Sequence, residues 1–131
     1  MVRLRQVLPP HFLTDVQGRR VYLPDLKGRP LALVRDPALG LGLWESRALW
    51  EGLPAQAYLL AEAPMSTPLP LLLDPAGNLV ESIPKEGALV TDAHLEVYHL
   101  GPVQDAREVV EWLAFVTHQC PECVLPEQDW V

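Results

Sequence analysis

The sequence predicts a single α/β domain: a central mixed β-sheet flanked by helices, with an N-terminal β-hairpin in front of it. Three observations carry this. First, Leu31-Ala32-Leu33-Val34-Arg35, Gln56-Ala57-Tyr58-Leu59-Leu60 and Leu71-Leu72-Leu73 are apolar runs of strand length. Continuous rather than alternating runs suit strands buried on both faces, as in a parallel sheet. Second, a helical stretch separates the first two runs, which makes a βαβ unit. Third, the chain closes with a hairpin and an amphipathic helix.

Phe12-Leu13-Thr14-Asp15 and Val21-Tyr22-Leu23 flank Gly18 and read as two short strands around a turn. Pro24 to Gly28 is a polar turn or short helix. After the Leu31–Arg35 strand, Asp36 to Gly42 is expected as a loop, followed by a helix from Leu43 to Glu51 that Gly52 and Pro54 stop. The second strand leads into a Pro-rich connection from Pro64 to Pro70. The third ends in the turn Asp74-Pro75-Ala76-Gly77-Asn78. Ala88–Thr91 and Leu95–Leu100 form a hairpin around Asp92-Ala93-His94. Asp105 caps the last helix, with Glu108 three residues on. Ala106, Val109, Val110, Leu113 and Val116 share its apolar face, and Pro121 ends it near Gln119, because the residue before proline resists helical backbone angles. The domain therefore spans 1–119, and 120–131 is a tail.

At 131 residues the chain fits one domain with a core of its own. Its apolar share is 49% and its charged share 21%, an ordinary globular balance. A net charge of -7 argues against nucleic acid and anionic membrane as partners, since both attract basic surfaces. No apolar run approaches the ~20 residues that cross a bilayer. The opening Met1 to Phe12 lacks the apolar stretch of a signal peptide. Two cysteines are too few for a secreted disulfide framework, so a cytoplasmic location is expected. The 14 prolines fit stiffened loops in a thermophilic source, and codon bias explains them equally well.

Several of these segments also carry a family likeness. Phe12-Leu13-Thr14-Asp15 with Gly18, then Val21 to Pro30, resembles the opening of redoxins, the peroxiredoxin-like branch (alkyl hydroperoxide reductase and thiol-specific antioxidant type) of the thioredoxin-like superfamily. Leu31 to Arg35 is similar to the strand that delivers their active-site loop, and Pro70-Leu71-Leu72-Leu73-Asp74-Pro75-Ala76-Gly77 to their central strand and turn. The resemblance covers roughly residues 12 to 118 and implies a thioredoxin-like fold. It also implies a cis peptide bond at Thr67-Pro68 or Leu69-Pro70. In that family a cysteine stands at the start of the next helix, where the helix N-terminus stabilises its thiolate. Here Asp36 to Trp44 holds no Cys, Ser or Thr. Ordinary peroxidase activity at this place is therefore expected to be absent.

Arg35 sits at the carboxyl lip of its strand, the edge where open α/β sheets bind ligands. It would hold an anion over the loop, whose glycines permit close backbone approach, or simply pair with Asp36 at the surface. An exposed apolar loop of Leu39, Leu41 and Leu43 would favour a protein partner.

His118-Gln119-Cys120-Pro121-Glu122-Cys123 is the one chemically loaded motif, and three readings of it stand. Cys120 and Cys123 would cycle between dithiol and disulfide, Cys120 attacking and Cys123 resolving, with His118 as the activating group and thioredoxin or glutathione as the reductant. Alternatively, Cys120, Cys123 and His118 would supply three zinc ligands, the fourth coming from a distant residue or a homodimer mate. Or the two thiols pack quietly beside Trp130, which anchors the tail to its own chain or a partner. Cys-Pro-Glu-Cys after the last helix is similar to a feature of some peroxiredoxin-like proteins, which favours a redox or metal role. His94 and His99 fall on different faces of their hairpin and read as solvated. Trp44, Trp50 and Trp112 read as core, and Glu45, Glu51 and Glu111 as solvated helix positions.

Overall fold

The structure is a computed structural model that describes residues 3–118. Gly18, at φ +84, turns the chain between β1 (Phe12–Asp15) and β2 (Arg20–Tyr22). Asp15 supports that turn by accepting the N–H groups of Gln17 and Arg19. The hairpin is antiparallel, with Phe12 opposite Tyr22 and Thr14 opposite Arg20. A 3-10 turn over Leu23–Leu26 leads to β3 (Leu31–Val34), whose four residues are all fully buried. The chain continues through α1 (Pro37–Glu45), α2 (Arg47–Trp50), β4 (Gln56–Ala61), β5 (Leu71–Leu73), a 3-10 turn at Val80–Ser82, β6 (Gly87–Thr91), β7 (Val97–Pro102) and α3 (Ala106–Thr117).

The seven strands form one mixed sheet in the order β2-β1-β5-β4-β3-β6-β7. β3, β4 and β5 run parallel, and the remaining neighbours pair antiparallel. The α-helices share one face. Leu39, Leu43, Trp50, Val109, Leu113 and Val116 pack there on Ala32, Val34, Leu59 and Val90. The other face has no α-helix among the described residues. Leu8, Leu23, Leu79, Ile83 and Leu95, all from turns and irregular chain, close it over Leu31, Leu33 and Leu60. The Pro-rich connection between β4 and β5 stays irregular, and Leu69 alone carries it into the core.

Three expectations need correction. Asp36 to Gly42 is not a loop. α1 begins at Pro37, directly after the strand, and the expected Leu43–Glu51 helix is the end of α1 plus a separate α2, broken at Ser46 (φ -96, ψ 11). The reason is local: Asp36 caps the helix, Pro37 suits its first position, and glycine is tolerated where packing demands it. Leu39 and Leu43 consequently face the core, leaving Leu41 exposed. β7 begins at Val97 rather than Leu95, which takes a left-handed conformation (φ +66) while Asp92 accepts the N–H groups of His94 and Glu96. All peptide bonds among the described residues are trans, including Thr67-Pro68 and Leu69-Pro70.

The two ends of the sheet are distinct. β3, β4 and β5 finish at one edge, which we term the carboxyl edge. β7 runs in the direction of β3, because both are antiparallel to β6. α3 therefore starts at the carboxyl edge, with Ala106 against Gly42, and runs back to the opposite edge, where Phe115 meets Tyr98 near the start of β7. Among the described residues, no helix is long and apolar enough to cross a membrane.

Candidate functional site

β3 delivers Arg35 and Asp36 to the carboxyl edge. Asp36 is the N-cap of α1, and its Oδ1 accepts the Ala38 N–H at 2.9 Å. Pro37 at the next position has no N–H to offer. A helix N-terminus attracts an anion through its free amides and its dipole; here the protein's own carboxylate already holds that place. α3 repeats the arrangement, with Asp105 accepting the Glu108 N–H at 3.1 Å and Glu108 accepting the Gln104 N–H at 2.9 Å.

The partner of Arg35 is a backbone carbonyl, not Asp36. Arg35 is half-buried, and its Nη1 donates to the Ile83 carbonyl at 2.8 Å, stapling the strand end to the turn beyond Val80–Ser82. Asp36 is committed to its cap, so the two do not pair. The glycines of α1 serve helix packing instead of a ligand. A Cβ at Gly42 would lie 2.8 Å from that of Ala106, and one at Gly40 would lie 3.3 Å from Leu59 Cδ1. Gly42 thus lets α1 and α3 approach closely, and Gly40 seats α1 on β4.

A cavity of about 730 Å³ opens beside these helix starts. Its charged lining is mostly carboxylate (Asp36, Glu45, Glu86 and Asp105), with Arg107 as the cation. Nearby, the buried Asp74 accepts the N–H groups of Leu79 at 2.7 Å and Val80 at 3.0 Å, fixing the turn after β5. This edge therefore has no nucleophile on α1 and no vacant anion site at its first amide. Three of its carboxylates, Asp36, Asp105 and Asp74, are spent on backbone amides.

The opposite edge carries His118, the C-cap of α3, exposed to solvent. Its Nδ1 lies 2.7 Å from the Ala114 carbonyl. A carbonyl only accepts, so Nδ1 is the donor in this bond, and Nε2 is the ring nitrogen not engaged by Ala114. Cys120, Cys123 and Trp130 lie outside the described residues, so the motif is represented here by His118 alone. Among the described residues, no three His, Cys, Asp or Glu side chains gather as a metal site.

The other expected positions have structural roles. Trp50 is buried and donates from Nε1 to the Leu43 carbonyl at 2.9 Å. Trp44 is half-buried under the Arg47 guanidinium, 4.1 Å from its ring centroid. His94 is exposed in its turn. His99 stacks on Trp112 at 4.9 Å with Nε2 3.1 Å from the Gly101 carbonyl. Glu45, Glu51 and Glu111 are exposed. Next to Trp112, Phe115 and Tyr98 complete an aromatic cluster, with Arg5 over the Tyr98 ring at 4.5 Å. Burial pushes the Tyr98 phenol above its ordinary pKa, and Arg5 opposes that shift.

A mixed sheet with this strand order, three parallel central strands and a helix springing from the carboxyl end of β3 is a thioredoxin-like fold. Solved structures agree. The chain is similar to the mitochondrial 2-Cys peroxiredoxin of Plasmodium falciparum (TM-score 0.72, 9% identity, 88% of this chain and 95% of that one). It is similar to AhpC of Enterococcus faecalis (TM-score 0.68, 18% identity, 92% and 100%). It also resembles the thioredoxin domain of a thiol-disulfide oxidoreductase from Bacteroides vulgatus (TM-score 0.66, 15% identity, 88% and 99%). At such identities the likeness is one of fold. No protein-family model matches the chain, and a comparison with curated proteins finds no relative.

Proposed function

We propose that this protein is a degenerate redoxin without peroxidase chemistry at the usual place, and that its thiol chemistry belongs to Cys120 and Cys123 acting as a thiol-disulfide redox pair. The observation that carries the reading is the start of α1. A cysteine thiolate would be stabilised there, but Asp36 and Pro37 stand in its place and no Cys, Ser or Thr follows up to Trp44. The two cysteines of the chain are both in the tail.

In the proposed cycle the Cys120 thiolate attacks a substrate disulfide and expels one of its sulfurs as a thiolate. Cys123 then attacks the mixed disulfide and releases the second sulfur. The substrate gains two electrons and two protons, and Cys120–Cys123 becomes a disulfide. A dithiol of the thioredoxin class, or two glutathione molecules, returns the electrons. Cys120 follows His118 by two residues, so the chain alone keeps them within about 7 Å. The Nε2 of His118 is the group suited to take the thiol proton.

The test alkylates the purified protein with and without a mild oxidant and measures metal in the same sample. A reversible Cys120–Cys123 disulfide, formed at a physiological potential with no peroxide consumption above the blank, is the expected result. Inert thiols without metal would overturn the reading in favour of a non-enzymatic binding module. Stoichiometric zinc lost on Cys120→Ser would overturn it in favour of a metal site shared with a dimer mate.

A further inference from the structure

On α3, Glu108, Glu111, Trp112 and Phe115 follow at helical spacing and form one row that flanks the Val109, Leu113 and Val116 core side, with Trp112 partly packed against the core. The row is divided. Its first half is acidic, whereas its second half is aromatic. Phe115 is 48% exposed. It touches Trp112 edge-on at 5.7 Å between centroids and Tyr98 at 6.4 Å. Arg5, itself largely exposed, flanks the cluster on the Tyr98 side. The result is an apolar patch, flanked by the Arg5–Glu96 ion pair, at the end of the helix where the described chain stops.

We infer that this patch is the docking site of the chain's own segment 119–131, with Trp130 as the anchor against Phe115 and Tyr98. Three features select this occupant. The segment starts at His118, less than one turn beyond Phe115, so it is tethered beside the patch and its effective concentration there is high. Residues 119–131 extend to about 40 Å, ample to turn back across a patch that lies within one or two helical turns. Charge also directs the segment: Glu108 and Glu111 repel Glu122, Glu127 and Asp129 from the first half of the row and leave the second half to the segment's apolar residues. The segment supplies Val124, Leu125 and Trp130 for the apolar contact. This inference concerns where the tail rests and stands whether or not its thiols cycle.

The test is nuclear magnetic resonance of the full chain, with Trp130→Ala used to assign the Trp130 indole signal. Cross-relaxation between that indole and the Phe115 and Tyr98 rings is expected, unchanged on tenfold dilution. In Phe115→Ala it should vanish, with the Trp130 signal moving to its free-peptide position while the Trp44 and Trp50 indoles, which do not touch Phe115, hold theirs. A Trp130 indole at the free-peptide position in the unmodified chain would overturn the inference. So would contacts that fade on dilution and appear between differently labelled molecules, which would make the occupant a second copy.

Discussion

The carboxyl edge and the far end of α3 are built from similar materials to opposite effect. At the carboxyl edge three carboxylates are bound to backbone: Asp36 to Ala38, Asp105 to Glu108, Asp74 to Leu79 and Val80. At the far end His118 is exposed to solvent, and Phe115 lies half uncovered. The first edge is where open α/β sheets bind ligands, and here these carboxylates serve stability. The exposed aromatic surface of α3 lies at the second.

Mutations can break or sharpen this contrast. Removing the Asp74 carboxylate should have the largest effect. Asp74→Ala strands two buried N–H groups and should lower stability in a urea melt by about 3 kcal/mol. Next comes Gly42→Ala. Its better helix propensity is worth ~1 kcal/mol, yet the new methyl collides with Ala106, and a net loss of about 1 to 2 kcal/mol is expected. Adding Ala106→Gly should recover part of it, with a coupling of about 1 kcal/mol in a double-mutant cycle. Asp36→Ala should cost about 1 kcal/mol as a lost cap and leave peroxide consumption at the blank. At the far end His118→Ala should stay within ~0.5 kcal/mol while slowing disulfide formation in the tail. An Asp36→Ala protein that gained peroxidase activity would erase the distinction between the edges.

Sequence reasoning read the elements whose signals are local. Continuous apolar runs located β3, β4 and β5, the hairpin around Asp92-Ala93-His94 located β6, and Asp105 with Glu108 located the start of α3. The candidate site was read in its chemistry, the missing nucleophile, but not in its shape. Asp36-Pro37 is an N-cap followed by proline at the first helical position, and Leu39 with Leu43 is a helical pair, so the start of α1 was legible there. Two glycines pointed instead to a loop, because their purpose is set by Ala106 and Leu59, residues distant in the chain. The expected Arg35–Asp36 pair fails for the same reason: the partner of Arg35, the Ile83 carbonyl, lies 48 positions away. The pairing of residues 5–8 with 95–97 gives no local signal at all.

That last pairing affects how the molecule assembles. The Arg5–Glu96 link spans 91 positions, and Leu8 is held by its N–H to the Leu95 carbonyl. The β3-α1-β4 segment joins neighbours and has little entropy to lose on closure, whereas this clasp joins the two extremes of the domain. It is expected to fasten last. Leu8→Ala should then speed unfolding and leave the refolding rate nearly unchanged, so the persistence of the folded state would depend on a few residues ahead of the first strand.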